Sequence, residues 1–156
     1  MKSKGFVLIE TLIVMMIIGI LMSFALPNYF EAKKTAQAVR VIADFEAIRT
    51  AVIAYYGESG EFPPDGYPGG VPKQLKNYLP EGMSFDLRPE LDVRYDWENW
   101  LVKGKPKHPK TNILYGVSVT TKDEALVRKI KGIFQNSIQW SINDNYTFVI
   151  EFIENK

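Results

Sequence analysis

Glu10 stands inside an otherwise apolar run, residues 6–26 (FVLIETLIVMMIIGILMSFAL). The run has the ~20 residues that one helix needs to cross a bilayer. A carboxylate in hydrocarbon costs on the order of a few kcal/mol even on lenient scales, so its presence there marks a function. It falls near the start of the expected helix, where the positive end of the dipole favours an anion. Capping of its own helix is the plainer role for it. Other chemistry-bearing groups are sparse. Asn143, Asp144 and Asn145 offer the oxygen ligands that calcium takes. Three such residues in a row make a turn more naturally than a cage, so a calcium cofactor is the weaker reading and none is expected. Residues 103–110 (KGKPKHPK) are basic and include the single histidine, His108. No aromatic side chain is interleaved there for base stacking, so the stretch reads as a solvated loop and no nucleic-acid partner is expected. Trp97 and Trp100 can form a sugar platform, but a Trp in an alternating strand more often belongs to a core. There is no nucleophile elbow, metal-binding HExxH helix or phosphate-cradling glycine loop. With no cysteine either, thiolate chemistry and disulfides are excluded, and the chain does not read as an enzyme.

These groups need elements to position them. The 156 residues suffice for one soluble domain beside the span. With 19 basic and 18 acidic side chains, no bulk field selects an anionic or cationic partner. Past Pro27 the apolar pattern becomes amphipathic. Val41, Phe45, Ile48, Val52 and Tyr55 recur at spacings of four and three, and Ala38, Ile42 and Ala51 widen the stripe. Lys33, Lys34, Arg40, Asp44, Glu46 and Arg49 fall on the other, solvated face, and Gly57 and Gly60 stop the helix. A helix of residues 6–56 is about 75 Å long at 1.5 Å per residue. Pro27 lacks a backbone donor and crowds the carbonyl of Ser23, which predicts a kink. The Gly- and Pro-rich stretch 58–71 reads as a loop anchored by Phe62 and Tyr67. Pro72 opens a short helix to Leu79. Leu91, Val93, Tyr95 and Trp97 alternate with Asp92, Arg94, Asp96 and Glu98, a strand with one polar face; Ile113 to Val119 repeats the pattern. Thr121 and Glu124 form a capping box before Leu126, Val127, Ile130 and Ile133. Alternation on both sides of residues 143–145 predicts a terminal hairpin. The sum is an α+β fold: a long N-terminal helix with a small antiparallel sheet laid on its amphipathic half.

Three readings fit the N-terminus. Ser23-Phe24-Ala25 has the small residues that a signal peptidase reads, although the length of the run and Glu10 speak against cleavage there. A plain uncleaved anchor is the second. For the third, Lys4-Gly-Phe-Val-Leu-Ile-Glu-Thr-Leu-Ile-Val14, followed by Ile17, Ile18, Gly19, Ile20, Leu21 and Pro27, closely resembles the start of type IV pilins and type II secretion pseudopilins. The resemblance covers roughly the first third of the chain, and Gly60-Glu-Phe-Pro63 is similar, more weakly, to a loop of major pseudopilins. It implies a pilin-like fold and a leader, residues 1–5, that a prepilin peptidase removes after Gly5. The new Phe6 amine is then N-methylated. It further implies an assembly helix over 6–26, its amphipathic continuation over 27–57 and a C-terminal region over 58–156. The freed amine is cationic, with a reference pKa near 8, and in a filament core it pairs with Glu10 of a neighbouring subunit, offsetting the desolvation of both. Pro27 is where such helices loosen. The implied partners are other copies, minor pilins or pseudopilins, and an assembly platform in the bacterial inner membrane, with the C-terminal region outside the cytoplasm.

The function expected is therefore that of a filament subunit, a type II secretion pseudopilin ahead of a pilus or DNA-uptake pilin. The rival class is a binding module tethered to the membrane, which makes no polymer.

Overall fold

The computed structural model describes residues 4–102, 105–106, 114–133, 139–142 and 145–151. The chain divides into two compact units, Met1–Ala36 and Gln37–Lys156, and helix α1 (Lys4–Ser59) contributes residues to each. In the first unit the side chains of residues 6–26 are exposed all round, as in a helix whose surroundings are uniformly apolar rather than split between core and water. The helix does not end at Pro27 but continues through it.

In the second unit α1 is amphipathic, as its spacing predicts. Ala38, Val41, Phe45, Ile48, Ala51 and Val52 are buried, and Ile42 and Tyr55 pack at the margin of the same core. Gly57 does not stop the helix. It ends at Ser59, and Gly60, at φ +75°, closes it by donating its N–H to the Tyr56 carbonyl at 2.8 Å. A left-handed residue after the last turn costs glycine nothing, which makes Gly60 the terminator.

Four antiparallel strands, β1 (Arg94–Asn99), β4 (Tyr115–Thr120), β5 (Gln139–Ile142) and β6 (Asn145–Glu151), form a sheet in the order β1-β4-β6-β5. Two-residue strands β2 (Leu101–Val102) and β3 (Lys105–Pro106) make a separate tight pair. A one-residue shift between Tyr115 and Gly116 marks a bulge against β6. Tyr95, Trp97, Val117 and Val119 face one way and join the core with α1, and Tyr95 pairs with Val119 as Trp97 does with Val117. Helix α2 (Glu124–Ile133) adds Leu126 and Ile130 to that core.

Several local expectations need correction. The alternation from Leu91 onward is a burial pattern, but the ladder begins only at Arg94. Residues 88–93 instead turn back, with Asp92 at φ +53° and the Arg88 N–H donating to the Val93 carbonyl at 3.0 Å. Asp is one of the few side chains that tolerate that backbone. The helix after Pro72 is a single 3-10 turn, Lys73–Leu75. Helix α2 is capped by Asp123, whose carboxylate accepts the Leu126 N–H at 3.0 Å, while Thr121 accepts the Asp123 N–H at 3.1 Å in the turn before it. Ile133, expected in the core, is exposed at the helix end.

Phe62 anchors the 58–71 loop, stacking on Tyr56 at 4.5 Å and packing on Tyr115 at 3.9 Å. Tyr67 does not: it is 69% exposed. The loop is held instead along the free edge of β1. Gly66 and Gly69 donate their N–H groups to the carbonyls of Trp97 (2.8 Å) and Tyr95 (2.9 Å). The indole N–H of Trp97 and the amide of Asn99 both donate to the Pro63 carbonyl, at 3.2 and 2.8 Å. An edge that would otherwise offer unpaired backbone to another chain is thus covered.

Candidate functional site

α1 presents Gly5 and Phe6 side by side in its first turn and Glu10 about one turn further along the exposed helix. Glu10 is the fourth residue after Phe6, about 6 Å of rise and slightly more than one turn along. The hydroxyls in this segment are satisfied within the helix. Thr11 donates to the carbonyls of Val7 and Leu8 (3.2 and 2.9 Å), and Ser23 donates to that of Ile20 (2.7 Å). Such back-bonding hides a hydroxyl from an apolar medium. Glu10 has no such recourse: among the described residues, nothing hydrogen-bonds or ion-pairs with its carboxylate. The segment thus displays one anionic group near the start of a helix that is long and apolar enough to cross a membrane.

The second unit holds polar groups that the pattern of the sequence misassigned. Asp44, placed by periodicity on a solvated face, is turned toward the domain. It accepts from the Arg88 guanidinium at 2.7 Å and from the Tyr95 hydroxyl at 2.9 Å. Burial alone would lower the Arg88 pKa, but the charges of Asp44 and Glu90 raise it overall. Burial, and then Asp44, push the Tyr95 phenol above its ordinary range. Glu90 accepts from Arg88 at 3.0 Å, and its carbonyl accepts from the Gln37 amide at 2.8 Å. These bonds tie the 88–93 turn to α1. On the opposite sheet face, Asp96 is buried and Glu98 half-buried, where alternation predicted solvent. Burial, and then the charges of Glu98 and Asp65, push Asp96 up to about 7. Burial raises Glu98 too, against the hydroxyl that Ser118 donates to it.

The chain is 43% identical over 69 residues to the fimbrial protein of Neisseria meningitidis serogroup A, a match covering 44% of this chain and 41% of that protein. The type IV major pilin protein PilE of Neisseria gonorrhoeae matches with the same identity and the same coverage of each chain. The type II secretion system core protein G of Vibrio cholerae is 34% identical over 62 residues, 40% of this chain and 42% of that protein. The homologues of this chain are type IV pilins and a type II secretion pseudopilin. They are structural proteins, not enzymes. The chain spans about two fifths of the length of these relatives. No family model and no solved structure matches it.

Of the remaining candidates, Trp97 is fully buried and belongs to the core, and Trp100 is half-buried with its backbone N–H donating to the Leu114 carbonyl at 2.8 Å. Asn143 and Asp144 lie outside the described residues, while Asn145 opens β6 opposite Ile142, the pairing expected of a tight hairpin there. Among the described residues no cluster of acidic or histidine side chains fits a metal ion. His108 and most of the basic stretch 103–110 also lie outside them; Lys105 and Pro106 form β3. Asp44, Asp96 and Glu98 were missed because period alone separates a helix or sheet face into two sides. It carries no signal that a loop or turn will cover the polar side.

Proposed function

We propose that the chain is a structural subunit of a type IV pilus-like filament, assembled through α1. The observation that carries this reading is Glu10: a lone carboxylate on an exposed apolar helix, four residues from Phe6 and without a partner among the described residues. A chain end freed between Gly5 and Phe6 supplies the missing cation. Methylation of the Phe6 amine keeps the charge. Pairing with Glu10 of the next subunit then offsets the desolvation of both groups and sets axial register. Processing by a prepilin peptidase and recruitment by an inner-membrane platform precede this step. The subunit waits as a single-pass inner-membrane protein with its C-terminal unit outside the cytoplasm. Pro27, interior to α1, is the point where the helix loosens on packing, because its missing donor already weakens the ladder there.

Within that class we place the chain among the pseudopilins of type II secretion systems. It has no cysteine, so it cannot make the C-terminal disulfide loop of many pilus pilins. A pilus pilin is the second reading, favoured by the higher identity to type IV major pilins than to core protein G.

Mass spectrometry of the protein from cells should find Phe6, carrying one methyl group, as the first residue. A mature chain that keeps Met1, or that begins after Ala25, refutes the proposal. Glu10→Ala should insert and be processed normally yet lose filament formation. Normal secretion or piliation in that variant removes the assembly role.

A further inference from the structure

The covered edge of β1 rests on an unusual group. Asp96 is 7% exposed, and its Oδ1 is buried with no hydrogen-bond partner. Directly over it passes Gly66, the residue whose N–H holds the loop to Trp97; a Cβ added at Gly66 would lie 2.9 Å from that Oδ1. The groups that face Asp96 are acidic. Asp65, on the loop, holds its own place by accepting the Asn99 N–H at 2.7 Å. Glu98 lies two residues along the same strand face, and the cross-strand neighbour on β4 is the uncharged Ser118. On β6 the same row is completed by Thr147. Arg94, the one cation on that face of β1 among the described residues, is paired with Asp86 at 3.4 Å beneath Gly69. No described cation neutralises Asp96 when it ionises, a backbone hydrogen bond at Trp97 offsets the burial only in part, and the loop that crosses it brings a second carboxylate.

We propose that Asp96, with Asp65 and Glu98, makes the closure of the 60–71 loop over the β1 edge respond to pH. With the Asp96 carboxyl protonated, the loop lies on the strand and its two glycine N–H groups stay bonded. Ionisation puts an unsolvated charge under Gly66 and beside Asp65. Lifting the loop relieves both the burial and the repulsion, and it uncovers the carbonyls of Tyr95 and Trp97. The balance moves within the neutral range because burial and the two neighbouring charges hold the Asp96 proton far more tightly than an exposed carboxyl does. Local opening of a covering loop is a low-energy event compared with unfolding, so a single titration suffices to shift it.

The test is amide hydrogen exchange of Gly66 and Gly69 in the full chain in detergent micelles, corrected for the intrinsic pH dependence of exchange. Protection of both amides should fall on the order of 10-fold between about pH 5.5 and about pH 8, as linkage to one proton requires. Amides in the β4–β6 ladder should not follow. In Asp96→Asn the two glycines should respond to pH no more than the ladder does. Equal protection at both pH values, or a response that Asp96→Asn retains, overturns the proposal. Asp65→Asn keeps the acceptor for Asn99 and removes one repelling charge, so its midpoint should move to lower pH. An unmoved midpoint there overturns it as well, and this arm decides alone if Asp96→Asn does not fold.

Discussion

At the level of single residues, carboxylates show how far environment outweighs type. Glu10, Asp44 and Asp96 have the same functional group in three settings: apolar exposure, an ion pair, and burial without a cation. Asp44 joins two donors, so Asp44→Ala leaves the Tyr95 hydroxyl without its acceptor and the Arg88 guanidinium with Glu90 alone. Its loss should cost about 2–3 kcal/mol, against about 1 kcal/mol for Tyr95→Phe, which removes one neutral donor. Urea denaturation of the two variants checks the order. Asp96 makes stability depend on pH in the opposite sense to a paired carboxylate. Its pKa is raised on folding to about 7. Across the range from the ordinary carboxylate value up to about 7, the folded chain therefore holds a proton that the unfolded chain has released. Its contribution is complete in acid, declines through that window as pH rises, and levels off above it; raised Glu98 acts in the same direction. Melting temperatures measured from acid to neutral pH should fall more steeply in the wild type than in Asp96→Asn.

Elements are decided by their ends as much as by their periods. The 3.6-residue stripe of α1 was legible down to individual core residues, because six buried positions at helical spacing leave no other face to bury. Its stop was legible only as a choice between Gly57 and Gly60. The choice fell on the glycine whose φ is positive. The start of α2 shows the same limit. Thr121 and Glu124 have the spacing of a capping box, yet Asp123 makes the cap, since a carboxylate one residue from the helix competes with a hydroxyl three residues away. Asp123→Ala should therefore cost about 1 kcal/mol of stability, and Thr121→Ala less, read from the midpoint of chemical denaturation. Tyr67 failed as an anchor for a related reason. Its loop is fixed by backbone bonds from Gly66 and Gly69 to β1, and a propensity argument built on aromatic side chains does not see main-chain bonds.

Over the whole molecule, burial is segregated. Every buried apolar residue among those described falls between Ala38 and Ile130, and the exposed apolar run lies in the first unit. A fragment beginning at Gln37 keeps all of that core. It should fold without detergent, unfold in one cooperative transition followed by circular dichroism, and elute as a monomer on size exclusion. A fragment that aggregates or lacks a transition would mean that the first unit contributes to the stability of the second. The full chain should need detergent, because the apolar side chains of residues 6–26 are exposed. Dividing the chain in this way separates the unit that holds the core from the exposed apolar helix through which we propose it assembles.

From the sequence alone came the apolar helix with its single charge, the amphipathic stripe, the core positions of Trp97 and Tyr95, the hairpin ending the chain and the antiparallel α+β architecture. All of these follow from periodicity, from residue type or from the cost of placing a carboxylate in hydrocarbon, which are properties of local order along the chain. Tertiary structure alone decided that Asp44 would be drawn into an ion pair, that Asp96 and Glu98 would be covered, and that a glycine-rich loop would close the edge of β1. Those outcomes depend on which segments distant in the chain meet, and burial by a distant segment leaves no periodic trace in the residues that it buries.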